Sequence, residues 1–101
     1  MPEKKGIIPA VQINQIKKIR RYIVDIKDIL EKCDHTLLRV DCTSDEIRKL
    51  CDQAIKYNCA SVCIPPCHVA GARRYVGDKL TICTVIGFPN GYMTTAAKAY
   101  E

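Results

Sequence analysis

Leu80-Thr81-Ile82-Cys83-Thr84-Val85-Ile86, closed by Gly87-Phe88-Pro89-Asn90-Gly91, is the stretch on which the fold turns. Its first seven residues are rich in β-branched side chains, which suit a pleated surface and crowd a helix. The Gly/Pro/Asn cluster after them ends the run in a loop. A strand is therefore expected over residues 80–86 and a loop over 87–91. Working back along the chain, Ala60-Ser61-Val62-Cys63-Ile64 is a second short, mostly apolar strand, stopped by Pro65-Pro66. A short helix is expected from about residue 67 to 76, ending near Gly77. Asp34-His35-Thr36-Leu37-Leu38-Arg39 reads as the first strand, with Asp34 and Thr36 on one face because side chains alternate.

Between the first two strands, Thr43-Ser44-Asp45-Glu46 has the spacing of a capping box. The helix it opens is expected to turn Ile47, Leu50, Cys51, Ala54 and Ile55 inward and to stop at Asn58. Ahead of these elements, Ile13, Ile16, Ile19, Ile23, Ile26 and Leu30 fall on one helical face. A helix over residues 13–30 is expected, dependent on docking because the stripe is narrow and β-branched. After Gly91, Thr94 or Thr95 can cap a further helix. The order is a helix followed by β-α-β-α-β-α, which implies an α/β fold with a parallel sheet and crossover helices. A parallel sheet needs both faces covered and neighbours for its outer strands. The chain therefore reads as the front portion of something larger, its last helix barely begun at Glu101. Its open sheet edges predict association or poor solubility.

The 101 residues are 48% hydrophobic and 27% charged, a globular balance that argues against disorder. No apolar run approaches a membrane span, and the first residues lack the apolar core and cleavage site of a signal peptide. Seven cysteines suggest a disulfide scaffold at first sight. The odd number, the absent signal and their placement inside apolar segments point instead to reduced thiols and a cytoplasmic protein. Residues 1–32 hold eight Lys and Arg against four Asp and Glu, whereas residues 33–101 hold eight against seven. With no aromatic beyond Tyr22 interleaved among Lys17, Lys18, Arg20 and Arg21, that basic helix reads as a solvated face. Neither nucleic acid nor membrane is expected as a partner.

Asp34-His35-Thr36-Leu37-Leu38, Ala60-Ser61-Val62-Cys63-Ile64-Pro65-Pro66 and Cys83-Thr84-Val85-Ile86-Gly87-Phe88-Pro89-Asn90-Gly91, in this order, closely resemble three successive strand segments of the deoxyribose-phosphate aldolases. The resemblance covers residues 33–101 and less than half of such an enzyme. It implies the N-terminal part of a (β/α)₈ TIM barrel: three parallel strands with helices, behind an extension and extra helix over residues 1–32. It also implies a class I aldolase that needs no metal or other cofactor and cleaves 2-deoxyribose 5-phosphate to acetaldehyde and glyceraldehyde 3-phosphate. A lysine forms a Schiff base with the sugar carbonyl, and a second lysine with an aspartate manages proton transfer. The full-length enzyme is expected to be a homo-oligomer.

By the same resemblance, Asp34 and Thr36 line the substrate side of the barrel, and Cys63 matches a cysteine near the pocket. Each has a plainer alternative: Asp34 can merely brace backbone, and Cys63 can pack as a small hydrophobe. Asp34 also lies early in its strand, whereas barrel sites open at the strands' C-terminal ends. The Schiff-base lysine, the relay lysine and the central aspartate of the family belong to later strands and have no counterpart here. Lys49 and Lys56 are expected in a helix, Lys79 before the third strand, and Lys98 in the last helix. The isolated chain is thus expected to be inactive, the alternative being a non-catalytic binding or assembly piece. A metal site at Cys59, Cys63, Cys67 and His68 would need a helical segment to gather its ligands, which Pro65-Pro66 forbids.

Overall fold

The computed structural model describes residues 25–101, together with Gln12. Its elements are α1 (Ile26–Leu30), β1 (Asp34–Thr36), α2 (Ser44–Lys56), β2 (Ser61–Ile64), a 3₁₀ turn (Pro66–His68), α3 (Val69–Val76), β3 (Thr81–Thr84) and α4 (Thr95–Tyr100). The strands form one parallel sheet in the order β1-β2-β3. Asp34, Ser61 and Thr81 stand in register at the strand starts, and Thr36, Cys63 and Cys83 stand in register two residues on.

The α2 boundaries follow from local chemistry. Thr43 accepts from the Glu46 amide at 3.2 Å while the Glu46 carboxylate accepts from the Thr43 amide, so both halves of the capping box form. The guanidinium of Arg39 also pairs with Glu46 and with Asp41. At the other end Tyr57 caps the helix and Asn58 takes φ +54°, the left-handed turn that asparagine tolerates. Cys59 then donates to Ala54, and Ala60 donates to the carbonyl of Cys33, which feeds the chain into β2. Gly77 caps α3 with φ +59° and ψ −128°, a combination open to glycine because it has no β-carbon.

α2 and α3 pack on one face of the sheet. Ile47, Leu50, Cys51 and Ala54 of α2 meet Val62 and Ile64 of β2, with Ala72, Val76 and Leu80 completing the core. Val62 and Ile64 are fully buried, each worth about 1.5–3 kcal/mol. His35 Nε2 and Gln53 Oε1 share a hydrogen bond of 2.9 Å that ties β1 to α2.

Several expectations are corrected. The helix foreseen over residues 13–30 does not run through Asp25, which is extended (ψ 139°) and caps α1 by accepting from Lys27 at 3.2 Å. An aspartate offers the backbone this competing bond more readily than it continues a helix. Ile26 is exposed and Leu30 half-buried; Ile13, Ile16, Ile19 and Ile23 lie outside the described residues. Ile55, expected inside, is 37% exposed, because it sits about 100° round the helix from Ala54, at the rim of the stripe. All three strands are shorter than their propensity suggests. β2 starts one residue late but ends at Ile64 as expected, because Pro65 and Pro66 have no N–H to extend the ladder; β3 in consequence loses its partner at Thr84.

Replacing Thr43 with Ala removes the side-chain half of the capping box. The expected loss is about 1 kcal/mol, with Thr43→Ser close to the parent, measured by urea unfolding followed by circular dichroism.

Candidate functional site

The sheet's two faces differ in chemistry. Alternation along β2 sends Val62 and Ile64 toward the helices, so Ser61 and Cys63 face the other way. Register puts Asp34 and Thr81 beside Ser61, and Thr36 and Cys83 beside Cys63. Asp34, Thr36 and Cys63 therefore share one face, lined entirely by polar groups and thiols. On it Ser61 Oγ donates to Asp34 Oδ1 at 2.7 Å, and Thr36 Oγ1 donates to the Asp34 carbonyl at 2.8 Å.

The sequence pattern does not single out Ser61. The residue is buried, and its bond to a carboxylate satisfies it while fixing the Asp34 side chain. The one signal is a hydroxyl opening an otherwise apolar strand; its partner 27 positions earlier becomes evident only with the register. Asp34 is exposed, so its carboxylate is both oriented and accessible. It opens β1, while Thr36 closes it, nearer the strands' C-terminal ends.

Those ends carry a cleft of about 170 Å³. Leu38, Arg39 and Val40 after β1, Pro65 and Pro66 after β2, and Val85 and Phe88 after β3 line it. The 87–91 loop is held in shape by the residues that follow it. Gly87 has φ +63°, and a β-carbon there would stand 2.6 Å from Met93 Sδ and 3.2 Å from Lys98 Cδ. Its N–H donates to Glu101 Oε2 at 3.0 Å, and Lys98 Nζ donates to the Gly91 carbonyl at 3.2 Å. The Phe88–Pro89 peptide is cis.

All seven cysteines are unpaired. Cys59 packs beside the core, Cys63 is buried on the inner face, and Cys67 is exposed in the 3₁₀ turn. Burial pushes the Cys63 thiol up, with the nearby Asp34 and Cys83 adding to the shift. Cys51 is raised by burial and then by Asp52. A thiol held protonated is a poor nucleophile, so Cys63 suits lining better than covalent chemistry. Lys49 and Lys56 are in α2, Lys79 precedes β3 and Lys98 is in α4. Among the described residues, no lysine sits on a strand.

Replacing Gly87 with Ala combines a left-handed φ with the Met93 clash. A loss of about 1–3 kcal/mol is expected, partly recovered by adding Met93→Ala, as read by thermal unfolding. At pH 7.5, iodoacetamide should modify Cys67 about tenfold faster than Cys63, judged by peptide mass spectrometry. The folded state holds the Cys51 and Cys63 protons more tightly than the unfolded chain does. The stability they contribute is full below the ordinary thiol range, about 8.5, and is lost as pH rises through the raised values.

No family model matches the chain. Deoxyribose-phosphate aldolases of Streptococcus pyogenes serotype M5 (strain Manfredo) and serotype M12 (strain MGAS9429) are each 55% identical to it over 78 residues. The match takes in 77% of this chain and 35% of each relative, so the chain spans about a third of their length. Among solved structures, a chain described as a deoxyribose-phosphate aldolase from Coccidioides immitis superposes with a TM-score of 0.71 at 25% identity, covering 94% of this chain and 42% of that one. The deoxyribose phosphate aldolase of Aeropyrum pernix, whose structure is described as tetrameric, gives 0.66 at 26% identity, covering 90% and 38%. Sequence and fold agree in assigning the chain to the deoxyribose-phosphate aldolase family, whose (β/α)₈ barrel it matches over the N-terminal part.

Proposed function

We propose that this chain supplies the first three βα units of a class I deoxyribose-phosphate aldolase and one wall of its substrate site. The observation that carries the reading is the set Asp34, Thr36 and Cys63, in the family's sequence context, on the sheet face turned away from the helices. In a closed barrel that face is the interior. The substrate is 2-deoxyribose 5-phosphate, cleaved to acetaldehyde and glyceraldehyde 3-phosphate in deoxynucleoside breakdown. The lysine that forms the Schiff base, the relay lysine and the central aspartate come from later strands, so the 101 residues alone are inactive. No metal or cofactor takes part.

Each inner-face residue has a role matched to its surroundings. Asp34, held by Ser61 Oγ at 2.7 Å, is an oriented acceptor for substrate hydroxyls or for a proton in transit. Thr36, at the end of β1, adds a hydroxyl beside it. Cys63 fills space between Thr36 and Cys83 and keeps water from the pocket floor.

Residues 33–101 form the barrel piece; of the N-terminal extension read over residues 1–32, all but Gln12 and residues 25–32 lie outside the described residues. The complete enzyme is a cytoplasmic homo-oligomer, as suggested by the tetramer described for the Aeropyrum pernix relative, with neither nucleic acid nor membrane as partner. Among the described residues no helix is long and apolar enough to cross a membrane.

The test is a chimera in which the matching segment of the Streptococcus pyogenes aldolase is replaced by that of this chain. It should cleave 2-deoxyribose 5-phosphate and be trapped by borohydride on a lysine from the streptococcal part. Asp34→Asn in the chimera should lower kcat about 10²–10⁴-fold, with Cys63→Ala close to the parent. A folded chimera without cleavage, or an Asp34→Asn variant of unchanged kcat, would reject this reading.

A further inference from the structure

We propose that Cys63 and Cys83 form a vicinal dithiol on the inner face of the sheet, a binding site for trivalent arsenic carrying one organic group, with both sulfurs bonded to the same atom. Both cysteines lie on described strands, so the proposal does not depend on the catalytic reading above.

Register brings the two thiols together. Cys63 of β2 stands opposite Cys83 of β3. Val62 and Ile64, on either side of Cys63, belong to the helix-covered core, and Ile82 packs against that core. The two cysteines therefore leave their strands on the opposite side. Both are free thiols; Cys63 is buried and Cys83 half-buried, which gives a reagent a way in from the Cys83 side. Burial first, then Asp34 and then Cys83 push the Cys63 thiol up, so the second sulfur is near enough to act on the first.

The spacing decides what the pair can hold. Neighbouring strands stand about 4.8 Å apart, and in-register side chains on one face keep much of that separation at their β-carbons. A disulfide draws its β-carbons to about 3.8 Å, so a direct bond between these sulfurs would strain the ladder. An intervening thiophilic atom removes that demand, because it places two bonds of roughly 2.3 Å each between the sulfurs. The donor count then selects the atom. The in-register neighbours of Cys63 are Thr36 and Cys83, so the face offers two sulfurs there and no third. Among the described residues no group of three or more His, Cys, Asp or Glu side chains is placed to hold a metal ion. Arsenic(III) with one organic substituent is satisfied by two sulfurs.

The reaction balances without an oxidant. An organoarsenic(III) oxide gives up its oxygen, and two arsenic–sulfur bonds replace the bonding to oxygen. Both thiol protons leave with that oxygen as water, and arsenic stays trivalent. Because the protons depart with the oxygen, the thiols need not ionise beforehand, which suits a thiol held protonated. A reagent that takes one sulfur meets the slow Cys63 alone. One that takes two gains about 10²–10⁴-fold from having the second ligand already in place.

The test adds a single equivalent of phenylarsine oxide to the full 101-residue chain, its thiols kept reduced by a phosphine. N-ethylmaleimide then blocks every thiol left uncovered, 2,3-dimercaptopropanol removes the arsenic, and iodoacetamide marks the thiols so released. Peptide mass spectrometry should find the acetamide mark on Cys63 and Cys83 and maleimide on the other five cysteines. Cys83→Ala should weaken binding about 10²-fold or more with the circular dichroism spectrum unchanged, and Cys67→Ala should leave it as in the parent. The mapping uses the unaltered chain, so its result does not depend on how the variants fold. A mark on Cys63 together with Cys59 or Cys67, or on Cys42 and Cys67, would overturn the proposal. So would a chain that takes up no arsenic, or undiminished affinity in Cys83→Ala.

Discussion

A strand buried on both faces must satisfy two unlike surroundings within a few residues, and β2 is where this chain meets that demand. Val62 and Ile64 enter the apolar layer under α2 and α3, while Ser61 and Cys63 fall on the opposite side. The two neighbouring strands take their register from β2, so the side chains of β1 and β3 inherit its division. α2 can dock only with Ile47, Leu50, Cys51 and Ala54 toward Val62 and Ile64. A slip of one residue would exchange the faces and bury Asp34 against that layer. The apolar packing on one side is thus what holds the polar set in place on the other.

The same division governs the chemistry available. Ser61 is buried deeply enough that its hydroxyl needs a partner, and the partner it finds is the carboxylate of Asp34. That bond serves both groups: it satisfies the serine and removes rotational freedom from the aspartate. Burial has the opposite consequence for Cys63, since the environment that packs the thiol also disfavours its thiolate. One wall can in this way carry an oriented carboxylate and a quiet thiol two positions apart. The described strands bring a carboxylate, hydroxyls and thiols to this face and no amine.

Much of this was legible in the sequence wherever the cause is local. The Thr43/Glu46 box, the positive-φ Asn58 and Gly77, and the Thr94 cap each depend on residues within a turn of one another, and each forms. The three strands were legible as elements, and the alternation that pairs Asp34 with Thr36 on one face is visible in a single strand. Three things were not. The Asp34–Ser61 bond needs the register of two strands separated by a helix. The break at Asp25 interrupts an isoleucine stripe that remains periodic across it, because periodicity reports a face and not the continuity of the backbone. The strand ends depend on partners: Val85 and Ile86 have every β-propensity, but Pro65 and Pro66 leave them no ladder to join.

The loop after β3 connects these local and distant causes. Gly87 is required there on two counts, its φ of +63° and the Met93 sulfur 2.6 Å from where a β-carbon would stand. Lys98 of α4 and Glu101 at its C-terminal cap hydrogen-bond the carbonyl of Gly91 and the amide of Gly87. The loop bordering the cleft is therefore braced by the next helix and not by its own side chains. Phe88, projecting from this braced loop, lines the cleft together with Val40 and Pro66 from the two preceding strand ends. Loops that carry function work best when a rigid element fixes them. Here the order of elements along the chain places that brace immediately after the loop it holds.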